Sequence, residues 1–178
     1  MTAHLVFPIL AAQGGAILTL ALHRSARAQR IVSLVTSASV IAYLAGWFWP
    51  ALGREGVVTL RIGNWPAPYG IVLAADTLSG IMLSLTAVVG LIVLIYGTAW
   101  LRGEREQTFF HPLYHILLAG VSASFLTGDI FNLYVCFEVM LVSSFALMAL
   151  GGQRAQIEGT IKYLAISQIS SAFFLVAA

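Results

Sequence analysis

Apolar residues run along this chain in long blocks, and polar residues gather in short gaps between them. Crossing about 30 Å of hydrocarbon takes about 20 apolar residues at 1.5 Å per residue. Six stretches meet that need, over residues 5–22, 31–52, 77–101, 112–127, 130–150 and 161–178. Each is predicted helical, because an open strand leaves backbone amides unpaired in lipid. The fourth is short, and tilting or cover from its neighbours accommodates it. The last ends with the chain and has no polar flank, which points to a longer parent chain. Residues 57–73 break the pattern. Two β-branched runs flank a Gly/Asn/Pro centre, which signals a hairpin. Pro66 and Pro68 exclude a helix there. The predicted fold class is an all-α integral membrane bundle with one hairpin-like outer loop. It forms a single transmembrane domain over residues 1–178 of a larger bundle. No internal repeat or low-complexity linker interrupts it.

Composition strengthens this picture. Hydrophobic residues make up 60% of the chain and charged ones only 9%, with a mean hydropathy of +0.92. Too few charges are present to cover a soluble surface, so the lipid bilayer is the solvent. The net charge is +2, but the basic residues lie in short clusters without an aromatic-interleaved face. Nucleic-acid binding is therefore not expected. The start lacks the positive n-region of a secretory signal, so the first stretch reads as a retained span. A lone cysteine, Cys136, excludes a disulfide within the chain.

The basic residues also set an orientation. The first, third and fifth connections hold Arg24, Arg27 and Arg30, then Arg102 and Arg105, then Arg154 and Lys162, seven of the nine. The second holds only Arg54 and Arg61. Cytoplasmic loops carry the excess of Lys and Arg, so the N-terminus is expected outside the cytoplasm, in a cell inner or plasma membrane. Trp47, Trp49, Tyr96 and Trp100 fit the aromatic belts at the two interfaces.

Glu138 is the first candidate for chemistry. It lies nine residues beyond Asp129, so ~13 Å into the fifth span, near the bilayer midplane. A carboxylate at that depth costs several kcal/mol, and intramembrane acids are functional by default. Apolar surroundings favour the neutral acid and a nearby cation favours the carboxylate. A moving cation therefore loads and unloads its proton. The bland reading is a neutral Glu hydrogen-bonded to a neighbouring helix. Lys162 reads either as a snorkelling interfacial anchor or as a cation on the inner proton path. Ser167, Gln168, Ser170 and Ser171 follow it, suited to helix packing or to holding water. Asp76 and Asp129 each stand where a span begins and read as N-caps, with a proton-exit role for Asp129 as the alternative. His111 and His115 share a helical face at i, i+4. No third ligand accompanies them and no Glu follows His111, so no metal site is expected. Proton entry through either imidazole or interface packing are the open readings. Glu158, Glu104 and Glu106 read as solvated loop charges. No phosphate loop, CxxC or nucleophile elbow is present, and no cofactor is expected.

The stretch Leu-Thr-Gly-Asp-Ile-Phe-Asn-Leu-Tyr-Val-Cys-Phe-Glu-Val-Met-Leu at 126–141 resembles the fifth helix of the antiporter-like subunits. Mrp sodium/proton antiporters, complex I and membrane-bound hydrogenases share this family. Residues 63–79, Gly-Asn-Trp-Pro-Ala-Pro-Tyr-Gly-Ile-Val-Leu-Ala-Ala-Asp-Thr-Leu-Ser, resemble its Mrp D-type branch more than the complex I branch. The segments 110–114, 151–155 and 161–163 match that branch too. The resemblance implies that Glu138 is the protonatable residue of the fifth helix, paired with a lysine on a seventh. It also implies about fourteen helices in two inverted repeats, most of which would lie beyond residue 178. The implied function is a subunit of a multisubunit antiporter exchanging protons against Na+, not an enzyme, with other membrane subunits as partners. The alternatives are the proton-pumping arm of a quinone oxidoreductase or hydrogenase, with redox sites on other chains, and a passive structural subunit.

Overall fold

The computed structural model describes residues 2–65, 69–100 and 104–177. Six helices long and apolar enough to cross a membrane are present among them. A 3-10 turn over Thr2–Val6 leads into α1 (Phe7–Ala21). Then come α2 (Ala26–Glu55), α3 (Thr77–Trp100), α4 (Glu104–Leu126), α5 (Ile130–Met148) and α6 (Arg154–Ala177). The chain is a multi-pass, all-helical membrane protein with one small two-stranded sheet. The core packs α1 against α4 and α2, and α4 against α5, with α3 resting on α2 and α4. Helix α6 touches the rest chiefly through α5.

Three spans differ from their apolar limits. Helix α2 extends beyond 31–52 at both ends, because Ser25 caps it by accepting from the Ala28 amide at 3.3 Å and no breaker follows Leu52 until Gly56. At Gly56, φ is +70°, which ends the helix. Within α2, Leu44–Phe48 form a π turn directly before Pro50. Proline has no N–H to give the carbonyl four residues back, and its ring crowds that carbonyl. One wide turn absorbs both effects. Helix α4 begins at Glu104 rather than at residue 112, so Glu104 and Glu106 start a helix instead of lying in a loop. Acidic residue types suit a helix start, where the dipole is positive. Helix α6 begins at Arg154, seven residues ahead of the expected limit, so Glu158 is helical as well. Polar residues continue a helix as readily as apolar ones; hydropathy marks the buried segment, not the helix.

The expected hairpin is present. Strands β1 (Val58–Arg61) and β2 (Val72–Ala75) pair antiparallel, Val58 opposite Ala75. Pro66 and Pro68 lie outside the described residues, as does Arg102. The hairpin is tied down at the α4–α5 turn, where the Gly128 amide donates to the Val72 carbonyl at 2.8 Å. Beneath it, Leu5, Leu44, Phe48, Leu52, Leu73 and Leu126 form a closed apolar cluster. The predicted belt residues pair up. Tyr43 stacks on Trp47 with ring centres 5.4 Å apart, and Tyr96 stacks on Trp100. The Trp49 indole donates to Ser84 Oγ at 3.0 Å.

Asp76 stands before α3 as its cap. The Ser79 amide and hydroxyl donate to its Oδ1 at 2.8 and 2.9 Å. These bonds hold its carboxyl below the ordinary value of 3.8. A lowered folded-state value means the contribution to stability is present above pH 3.8 and disappears as pH falls through the lowered value. Asp76→Ala is expected to cost up to ~1 kcal/mol at neutral pH, since the site is exposed. Thermal unfolding in detergent checks this: the gap between variant and wild type closes in strong acid.

Candidate functional site

Glu138 lies on the half of α5 that faces α6. Its two carboxylate oxygens are both met from that helix. The Ser171 hydroxyl donates a short hydrogen bond to Oε1, and the Gln168 Nε2 amide donates to Oε2 at 3.3 Å. Ser171 and Gln168 are three residues apart and so share one face of α6. Aromatic contacts hold the two helices together on either side of the acid. Toward one end, Phe174 stacks on Tyr134 and meets Phe137 edge-on, with ring centres 6.4 and 6.3 Å apart. Toward the other, Phe145 meets Tyr163 edge-on at 5.3 Å. The acid is thus half-buried, bracketed by rings, and offered two polar partners. A cavity of about 280 Å³ opens between the same helices, with Ser167, Ser170 and Ser171 in its wall.

The two donors differ in chemistry. An amide N–H only donates, so Gln168 serves an ionised oxygen. A hydroxyl donates and accepts. Ser171 therefore serves Glu138 in both states, donating to the carboxylate and accepting from the protonated acid.

The other predicted residues fall into separate places. Lys162 donates to Glu158 Oε1 at 2.7 Å one helical turn earlier, and both side chains are mostly exposed. It stands six residues from Gln168, ~9 Å along α6, so the two are separate features. Asp129 caps α5. Its Oδ1 accepts from the Phe131 amide at 2.8 Å and the Asn132 amide at 3.4 Å, and the Asn132 side chain donates to Thr127 Oγ1 at 2.8 Å. Cys136 is a buried free thiol on α5. Among the described residues, no three His, Cys, Asp or Glu side chains converge for a metal.

His111 and His115 come together with a residue that sequence reasoning passed over. Ser33 Oγ on α2 sits between them, 2.9 Å from His111 Nδ1 and 3.0 Å from His115 Nε2. All three side chains are buried. A signal was present in the sequence. Gln29, Ser33 and Ser37 recur every four residues, so one polar stripe of α2 faces inward and is buried. Gln29 Nε2 donates to the Thr19 carbonyl of α1 at 2.8 Å.

No protein-family model matches the sequence. The D-type subunit of the Na(+)/H(+) antiporter of Bacillus subtilis (strain 168) is 39% identical over 176 residues, which is 99% of this chain and 36% of that protein. The chain belongs with the D-type subunits of the Mrp antiporters. Its fold agrees with two solved membrane complexes. A chain of the Mrp complex from Dietzia sp. DQ12-45-1b matches with a TM-score of 0.82 and 24% identity, over 98% of this chain and 33% of that one. A chain of the archaeal membrane-bound sulfane sulfur reductase matches with a TM-score of 0.84 and 24% identity, over 98% and 35%. This D-type segment thus spans about a third of the length of the relatives it matches. Chains of both a Mrp complex and a respiratory complex share its architecture.

Proposed function

We propose that this chain is part of a subunit of a multisubunit monovalent cation/proton antiporter, and that Glu138 carries the transported proton. Residues 1–178 act as one transmembrane domain of a larger bundle in the cell membrane, with the N-terminus outside the cytoplasm. Protons and Na+ are the transported ions, and the other membrane subunits are the partners. The transport activity belongs to the whole complex rather than to this segment.

One observation carries the reading: within a span, an acid has both oxygens held by side chains of the next helix. An ionised carboxylate in hydrocarbon costs several kcal/mol when bare, and hydrogen bonds to it return part of that cost. Glu138 therefore has support as a carboxylate through Ser171 and Gln168, and as an acid through Ser171. Neither form is trapped, which a proton carrier requires. Exchange of the proton for the field of an approaching cation then couples the two ions. A passive structural role asks only for one stable form and has no use for a hydroxyl that serves both.

The test uses the full parent complex in proteoliposomes. A pulse of Na+ on one face is expected to drive proton movement in the opposite direction, with no requirement for NADH or quinone. Proton movement that appears only with a redox substrate would assign the chain to a respiratory pump instead. A K+ pulse run in parallel reads the cation preference.

A further inference from the structure

The His111–Ser33–His115 chain opens onto a cavity. His115 is 1% exposed, and its second ring nitrogen, Nδ1, has no hydrogen-bond partner among the described residues. The imidazole forms part of the wall of a cavity of about 30 Å³. One water needs about 10–15 Å³ of such space and two to four polar partners. Four helices enclose it: Ala12 on α1, Ser37 on α2, Thr86 on α3 and Ser122 on α4. Three of those four carry hydroxyls. Gly15 on α1 leaves the room. A Cβ there would stand 3.2 Å from His115 Cε1 and 3.0 Å from Thr36 Cγ2.

We infer that this cavity binds water, and that His111, Ser33, His115 and that water form a proton half-path separate from Glu138. The inference rests on the proton-moving reading above and adds a second element to it. The connectivity allows transfer with every atom accounted for. A proton binds His111 Nε2. His111 Nδ1–H passes its proton to Ser33 Oγ. Ser33 passes its own hydroxyl proton to His115 Nε2, and His115 Nδ1–H passes its proton to the water. One proton enters, one leaves, and each imidazole ends as its other neutral tautomer. Ser33 suits the centre because a hydroxyl donates and accepts at once.

The path has a direction. His111 lies near the start of the α4 span, at the bundle end that carries Arg24, Arg27 and Arg30 on the neighbouring connection. Ser122 lies eleven residues beyond His111, ~16 Å deeper. Past the cavity the polar groups stop. Leu83 belongs both to the cavity wall and to the closed apolar cluster under the hairpin. The half-path thus reaches mid-depth and is sealed toward the hairpin end, which prevents a leak straight across.

Ser33→Ala, Ser33→Thr and His115→Gln in the full parent chain, assembled in its complex, test this. Cation-driven proton flux is measured against cation concentration and normalised to complex content. Ser33→Ala and His115→Gln are expected to lower the maximal flux at least tenfold, with the half-saturating cation concentration within twofold of wild type. Ser33→Thr keeps a hydroxyl and is expected to keep most of the flux. If Ser33→Ala does not assemble, His115→Gln decides, because its amide still bonds Ser33 but cannot shuttle a proton. Wild-type flux in either variant overturns the half-path. So does an equal loss in Ser33→Thr, or a parallel shift of maximal flux and half-saturation. Glu138→Gln is run alongside. Its silence would sink the glutamate reading, whereas a dead Glu138→Gln beside a normal Ser33→Ala sinks the half-path alone.

Discussion

Glu138→Gln is expected to reduce cation-driven proton flux by about a hundredfold or more in the intact complex, while the amount of assembled complex stays at the wild-type level. A positioned proton carrier typically contributes two to four orders of magnitude, and an amide offers no exchangeable acid at that point. The change is mild for the fold. Gln has the shape of Glu, its Oε1 still accepts from Ser171, and Gln168 needs only to turn its amide to present oxygen in place of nitrogen. Rearranging one such bond is worth ~1 kcal/mol. Reconstituted flux normalised to complex content is the measurement. Wild-type flux at all pH values would mean that the acid is a structural hydrogen-bonding group.

Gly120→Val is expected to cost about 3 kcal/mol and to remove most of the assembled complex. Gly120 on α4 lies directly against the α5 backbone. An added Cβ would stand 3.1 Å from the Met140 amide nitrogen and 3.2 Å from the Cys136 carbonyl oxygen. Backbone cannot step aside as a flexible side chain does, so the helices must separate. Small residues at such crossings are what allow membrane helices to pack, and overpacking costs about 1–3 kcal/mol. Glu138 stands between Cys136 and Met140, so a shifted α5 also carries the acid away from Ser171. Gly120→Ala meets the same atoms with a smaller group and is expected to lose about 1 kcal/mol. Thermal unfolding in detergent and the yield of complex read both variants. A Gly120→Val protein as stable as wild type would show that α4 and α5 do not meet closely at this point.

The sequence announced its spans because lipid allows so few backbone solutions. A block of about 20 apolar residues has to be a helix. Val58–Arg61 and Val72–Ala75 were legible for the opposite reason, since β-branched residues around a Gly/Pro centre leave the chain one compact way to turn back. Helix ends were less legible. Ala26 and Arg154 begin their helices in polar sequence, where hydropathy is silent and capping decides.

At the candidate site, Glu138 stood out because one ionisable group in an apolar run is conspicuous. Its partners did not. Ser167, Gln168, Ser170 and Ser171 are alike in sequence, and only the rotation of α6 against α5 selects Gln168 and Ser171. Ser33 was harder still. It lies 78 residues from His111, and nothing local in α2 names its partner. The buried spacing of Gln29, Ser33 and Ser37 was visible as a stripe, but which helix covered that stripe is a property of the assembled bundle. Asp76 and Asp129 were readable because a cap is a local motif closed within three residues.

Infrared difference spectroscopy on the intact complex tests most directly whether Glu138 gains and loses a proton during transport. A cation jump is expected to remove a carboxylic-acid C=O band and raise a carboxylate band, both absent in Glu138→Gln and shifted in Ser171→Ala. A wild-type spectrum in which no acid band changes, or in which the same change survives Glu138→Gln, would contradict the assignment of Glu138 as the proton carrier.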